Sequence, residues 1–283
     1  MRINHNLPAL NSYRNLTQNQ QGMGKVLEKL SSGYRINRAS DDAAGLAISE
    51  KMRGQIRGLE QGQRNTQDGI SLIQTAEGAL QEVHSMLQRM RELAVQAAND
   101  TYNTDDKNAS QQEVAQLTEQ IKNIAETTEF NGIPLIGEGA KTLEDVQIQY
   151  GPNEGDSLLL ELTAKPTSAG STKVDPTSLK IDSVKIDTTA DASKAITTFQ
   201  DAIKQVSEIR SYLGAIQNRL EHAVNNLSNY TENLTAAESR IRDADMAKEM
   251  TEYTRFNIIN QSATAMLAQA NQLPQGVLQL LKG

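Results

Sequence analysis

Three histidines, His5, His84 and His222, are the first candidates for acid–base or metal chemistry, since imidazole titrates near neutrality and ligates zinc. None stands in an HExxH or other paired-ligand spacing, and the carboxylate nearest His84 is the lone Glu82. All three read as solvated or seam side chains. Asp41-Asp42 and Asp105-Asp106 set carboxylates side by side, as a metal site would. Each pair precedes a helical run, where negative charge complements the helix dipole, so capping is the better reading. Gly22-Met23-Gly24 lies inside a helical stripe and lacks the Lys-Ser/Thr pair of a phosphate loop. No nucleophile-elbow pattern occurs. The absence of cysteine removes thiolate catalysis, disulfides and Cys-ligated zinc. The reading assigns no catalytic residue, no metal ligand and no cofactor.

Binding chemistry is equally constrained. The 283 residues carry 28 basic and 35 acidic side chains, a formal charge of −7, and Arg35-Ile36-Asn37-Arg38 is too short a basic run for a nucleic-acid surface. The N-terminus has no apolar run followed by a small-residue cleavage site. The uncharged stretch from Phe256 to Leu281 is long, but its Asn and Gln side chains make it amphipathic rather than membrane-spanning.

What remains is a pattern of long helices. Aromatics are 4% of the chain and Trp is absent, so Leu, Ile, Val, Met and Ala must do the packing. Apolar side chains recur at steps of three and four through Leu7, Leu10, Leu16, Met23, Leu27 and Leu30. The last segment repeats the pattern through Met250, Tyr253, Phe256, Ile259, Met266, Leu273, Val277 and Leu280. Both segments have few charges and form coiled-coil seams in search of a partner. Between them run three further helices. One carries two stripes, Ile73-Leu80-Leu87-Ala94 and Val83-Met86-Met90-Leu93-Ala97; a shorter one carries Val114 to Ile124, and a long one Ile196 to Leu234.

The punctuation fits. Ser31-Ser32-Gly33 stops the first helix, Ser40-Asp41-Asp42 caps the second, Asn99-Asp100-Thr101 breaks it and Thr104-Asp105-Asp106 restarts the chain. Pro8 cannot donate a backbone hydrogen bond, so the first helix either starts there or kinks. From about 130 to 187 the character changes. Asn131-Gly132 signals a hairpin; Val146 to Tyr150, Ser157 to Leu162 and Leu179 to Ile186 read as short strands; Ala164 to Pro176 reads as an exposed loop. The expected fold is mainly α: a long antiparallel helical coiled-coil rod with paired terminal helices and a small β-hairpin region in the middle of the chain. Its expected divisions are 1–44 and 237–283 for the two halves of an inner coiled-coil core, 45–130 and 189–236 for the rod helices, and 131–188 for the β region and loop.

Several stretches together resemble bacterial flagellin, the subunit of the flagellar filament. LEKLSSGYRINRASDDAAGLAISEKMRGQIRGL (27–59), NTQDGISLIQTAEGAL (65–80), LQRMRELAVQAAND (87–100) and EFNG (129–132) resemble its N-terminal signature. LGAIQNRLEHAVNNL (213–227), NLTAAESRIRDADMAKEM (233–250) and AMLAQANQLPQGVLQLL (265–281) resemble its C-terminal one. The wording is similar to flagellins of Gram-positive bacilli. The dense match across both signatures favours a filament subunit over a hook–filament junction or cap protein, and over an intracellular coiled-coil scaffold. No metalloprotease signature interrupts the middle, so the chain reads as a non-enzyme.

The resemblance implies a secreted, extracellular subunit of a helical homopolymer used for swimming. It implies export through the flagellar secretion apparatus, a cytoplasmic export chaperone on the C-terminal segment, and junction and cap proteins at the filament ends. It also implies recognition by Toll-like receptor 5 of animal hosts through positions matching Arg89, Leu93 and Glu113. Helical spacing groups Arg89, Glu92, Leu93 and Gln96 on one expected face.

Overall fold

The computed structural model describes residues 6–137, 147–159 and 174–282, of which 158, 159 and 273–282 are described by backbone alone. The order of elements is α1 (Leu7–Ser32), α2 (Ala43–Ala97), α3 (Thr104–Thr127), β1 (Glu129–Phe130), β2 (Ile133–Pro134), β3 (Gln147–Gln149), β4 (Ser157–Leu159), α4 (Thr189–Arg242) and α5 (Met246–Lys282). The mainly helical expectation holds, with the terminal helices packed on each other and short antiparallel hairpins mid-chain.

Helix boundaries follow from side chains that satisfy terminal backbone groups. The Asn6 carboxamide accepts from Ala9 N at 3.2 Å, and Pro8 occupies the first turn, where no N–H is needed. The helix therefore starts at Leu7, one residue before the proline. Gly33, at φ +75°, closes α1 in the left-handed conformation and returns its N–H to Lys29 O. Asp42 caps α2 by accepting from Gly45 N at 2.8 Å. The acid pair at 105–106 serves α3: Asn103 is the cap, and Asp106 reaches back to Asn103 N.

The chain forms two compact units. One comprises Arg57–Thr231. In it, Ile73, Ala76, Leu80, Val83, Leu87, Met90, Ala94 and Ala97 of α2 are all buried. So are Ala192, Ala195, Phe199, Ala202, Val206, Ile209, Leu213, Ile216 and Leu220 of α4. Both series alternate steps of three and four without interruption, a seam closed within one chain. Val114 and Ile121 of α3 join the same core, as do Leu135, Ile136, Leu179, Ile181 and Ile186 from the middle of the chain.

Among the described residues the β region is smaller than the sequence suggests. Asn131 and Gly132 both have positive φ, 52° and 75°, and close a two-residue turn pairing Phe130 with Ile133. β3 and β4 form the second hairpin, with Ile148 opposite Leu158. Leu179 to Ile186 is not a strand. Lys180 sits at φ +58°, and the surrounding N–H groups close turns, Leu179 N to Asp175 O and Ile181 N to Pro176 O. The Ile186 N–H goes to the side-chain amide of Gln111 at 2.7 Å, so a helix side chain takes the place of a ladder partner. The expected exposed loop also ends earlier than Pro176: Val174, Asp175 and Pro176 are buried, with Val174 N donating to Ile136 O at 3.1 Å. Most of that loop, with Val146 and residues 160–162 of the expected strands, lies outside the described residues.

The β3–β4 hairpin rests on glycines of α2. A Cβ on Gly62 would collide with Tyr150 O, one on Gly58 would lie 2.5 Å from Pro152 Cβ, and one on Gly69 would meet Ile148. Asn65 Nδ2, on the same side, donates to Gln149 O at 2.9 Å. The glycines make room for backbone to lie on helix.

Candidate functional site

The second unit comprises Met1–Ile56 with Glu232–Gly283, and within it α1 packs against α5. Three contacts fix the pairing. Asn6 Nδ2 donates to Ala270 O at 2.8 Å, Lys29 Nζ lies 3.3 Å from Glu249 Oε1, and the Phe256 ring fills the space beside Gly22. Glu249 is only 7% exposed, so this ion pair is shielded from water on one side.

The apolar seam behaves differently. Of the seam positions named from sequence, Leu16 is buried, while Met23, Leu30, Tyr253 and Phe256 are half-buried. Leu7 and Leu10 are each 57% exposed, and Leu27, Met250, Ile259 and Met266 are exposed as well. Tyr13, on the same stripe of α1, and Ile258, not named from sequence, extend the exposed set. The side chains of Leu273, Val277 and Leu280 lie outside the described residues. Helices that bury so little of an apolar stripe within one chain present the rest for association.

The expected receptor positions lie in the other unit. Arg89 is exposed; its Nε lies 2.8 Å from Glu113 Oε1 across to α3, and its Nη1 lies 3.3 Å from Glu92 Oε2. Hydrogen bonding to Glu113, then to Glu92, raises the guanidinium pKa above its ordinary value. Glu92, Gln96 and Glu113 are exposed too. Leu93 is not on this surface: at 2% exposure it belongs to the core shared by α2, α3 and α4. Its burial follows the second apolar stripe of α2, Val83-Met86-Met90-Leu93-Ala97, rather than the receptor grouping.

Of the histidines, His84 Nε2 lies 2.9 Å from Gln88 Nε2, His222 is exposed, and His5 lies outside the described residues. Among the described residues no three His, Asp or Glu side chains converge, and no helix is long and apolar enough to cross a membrane.

Sequence reasoning misses two constellations. One is the glycine row Gly58-Gly62-Gly69, legible as glycines four and seven residues apart within a helix. The other lies around Tyr34, where Arg242 and Arg53 approach the ring and pair with Glu50 and Glu238. From Tyr34 the other members are 16, 19 and more than 200 residues away, so no local pattern announces it.

Comparison with known proteins gives a consistent answer. Residues 3–140 match the bacterial flagellin N-terminal helical region, and residues 196–281 match the bacterial flagellin C-terminal helical region. The chain is 58% identical over 282 residues to the flagellin of Halalkalibacterium halodurans and 51% identical over 306 residues to that of Bacillus subtilis, covering 100% of each chain in both cases. The crystal structure of Bacillus cereus flagellin is 34% identical, with a TM-score of 0.49, covering 62% of this chain and 94% of that one. The chain belongs to the bacterial flagellin family, and is a structural subunit of a flagellar filament rather than an enzyme.

Proposed function

We propose that the chain is exported and polymerises outside the cell into the filament that drives swimming, with α1 and α5 completing their fold as neighbouring copies cover them. The single observation behind this reading is the exposure of Leu7, Leu10, Leu27, Met250 and Met266 on two helices that share one chain. Each such side chain contributes roughly 1.5 to 3 kcal/mol when fully buried. A head-to-tail contact that does not close on itself then propagates as a helix. The seam Leu7, Leu10, Leu16, Met23, Leu27, Leu30, Met250, Tyr253, Phe256, Ile259, Met266, Leu273, Val277 and Leu280 is the set of positions assigned to this role. The export chaperone, the secretion apparatus and the junction and cap proteins belong to the same reading, since an uncovered apolar helix needs shielding before assembly. Deleting Gln269–Gly283 should abolish filament yield while the monomer's rod melts as before. Normal filament yield from the truncated chain would overturn the assignment.

Recognition by Toll-like receptor 5 is a second reading, supported by the exposed ion-paired group Arg89, Glu92 and Glu113 with Gln96 beside it. Leu93 enters as a core residue beneath that surface, so truncating it would confound binding with stability. The informative variant is Arg89→Ala with Glu113→Ala. Receptor activation by folded monomer should fall at least about tenfold, or ~1.4 kcal/mol. An unchanged response would remove this surface from consideration.

A further inference from the structure

The methionines of the chain divide sharply by accessibility. Met90 is fully buried in the core of residues 57–231, and Met23, Met52 and Met86 are half-buried. Among the described residues the exposed ones all stand on α5: Met246 at 47%, Met250 at 51% and Met266 at 63%. Met246 opens that helix and Met250 lies one turn further on the same side. Met250 and Met266 belong to the seam assigned to association. The other exposed aliphatic side chains of α1 and α5, Leu7, Leu10, Leu27, Ile258 and Ile259, are plain hydrocarbons. The chain has no cysteine, so no thiol competes with these thioethers for a two-electron oxidant.

With hydrogen peroxide the step is a simple oxygen transfer. A lone pair of the thioether sulfur attacks one peroxide oxygen, the S–O bond forms and the O–O bond breaks. The transferred oxygen gives its proton to the departing hydroxide, which leaves as water. Sulfur loses two electrons and the peroxide gains them. The product is a polar, chiral sulfoxide in place of a flexible apolar side chain. On an exposed side chain that new oxygen faces water and costs little. Beneath a neighbouring copy the same oxygen is buried without a donor, which opposes the contact. One modification is therefore silent in the lone chain and disruptive to association.

We infer that Met246, Met250 and Met266 are sulfoxidation sites of the unassembled subunit, and that converting their thioethers to sulfoxides withdraws the subunit from polymerisation. Assembly in turn shields the three sulfurs. The inference rests on the proposed covering of α5 by neighbouring copies. A helix that completes its fold only on assembly leaves its sulfurs open until then, so the interval for oxidation closes with the lattice contact. The block is reversible, because methionine sulfoxide reductases return the thioether with two electrons from a thiol.

Hydrogen peroxide treatment of full-length monomer and of preformed filaments tests it, with each methionine followed by peptide mass spectrometry. The triple variant Met246→Leu, Met250→Leu and Met266→Leu is run beside the parent chain. In the parent monomer the three sulfurs should oxidise at least about tenfold faster than Met90, which reacts only when the core opens. The oxidised parent should need at least about tenfold more protein to assemble, with its urea midpoint unchanged. Reductases for both sulfoxide epimers should restore assembly. The leucine variant keeps side-chain volume and should assemble equally well with and without peroxide. Should that variant not assemble untreated, the reductase rescue of the parent decides. Parent chain with all three sulfurs oxidised that assembles at its untreated concentration overturns the inference. So does a leucine variant that loses assembly to peroxide, or a parent that the reductases return to thioether without restoring assembly. The assembly reading fails by a separate outcome, sulfurs on α5 that oxidise as fast in filaments as in monomer.

Discussion

The core of residues 57–231 and the α1–α5 pair use the same spacing of apolar residues to different ends. In the first, unbroken three-four series on α2 and α4 are sealed by side chains of the same chain, with Phe199 and Leu213 inaccessible to solvent. In the second, a series on the same spacing but with gaps leaves Leu10 and Met266 more than half exposed. Periodicity therefore specifies a seam and says nothing of whose side chains fill it. Partner number decides the difference: α2 and α4 share their core with α3 and the 174–186 segment, whereas the described apolar burial of α1 and α5 is confined to Leu16, Val26 and Ala270.

Truncations break the comparison most sharply. Phe199→Ala removes a fully buried ring and should cost the monomer roughly 3 to 5 kcal/mol, read as a lower urea midpoint with an unchanged slope. Met266→Ala, at 63% exposure, should leave monomer stability within about 0.5 kcal/mol and instead raise the concentration needed for assembly. If the two variants destabilised the monomer equally, Met266 would have an intramolecular cover and the contrast would collapse.

This contrast also marks how far the sequence is legible. The helices, the Asn131-Gly132 turn and the stops at Gly33 and Ala97 all follow from local rules, because each depends on residues within one or two turns. The strand expected at Leu179–Ile186 does not form, because its apolar residues sit beside Lys180 in the left-handed region and Gln111 reaches across from α3. Helical spacing sets Leu93 both beside Arg89 and in the apolar stripe with Met90 and Ala97, and burial against the core decides for the stripe. The cluster at Tyr34 is invisible for a related reason: its residues meet through chain reversal rather than proximity in sequence.

Glycines sharpen the comparison with smaller effects of opposite sign. Gly62 lies under Tyr150 O, so Gly62→Ala must displace the β3–β4 hairpin and should cost about 1 to 3 kcal/mol. Gly78, on the same helix, has no neighbouring atom within 4 Å of where an alanine methyl would sit. Gly78→Ala should therefore stabilise the monomer by about 0.5 to 1 kcal/mol through reduced unfolded-state entropy. Thermal melts of the two single variants suffice. A destabilising Gly78→Ala would show that the open face of α2 is already covered in the monomer.

The smallest effect bears on whether the two regions differ in polar turns as they do in apolar burial. Asp41 Oδ2 accepts the backbone N–H groups of Arg38 at 3.0 Å and Asn37 at 3.2 Å, which hold its pKa below the ordinary aspartate value. Asp191, in the first turn of α4, is lowered by the Thr188 hydroxyl and then by Lys194. Because the folded pKa is depressed in both, the stabilisation is fully present above the unfolded carboxylate pKa and is lost as pH falls through the folded value. Neutral and mildly acidic solutions should therefore show no change, and the loss should fall below about pH 4. Carbon-detected titration of the monomer should give depressed midpoints at both aspartates, and Asp41→Asn should abolish the low-pH response of the 37–41 turn alone. A depressed Asp191 beside an ordinary Asp41 would mean that the 37–41 turn is unformed in the lone subunit and is made only on assembly.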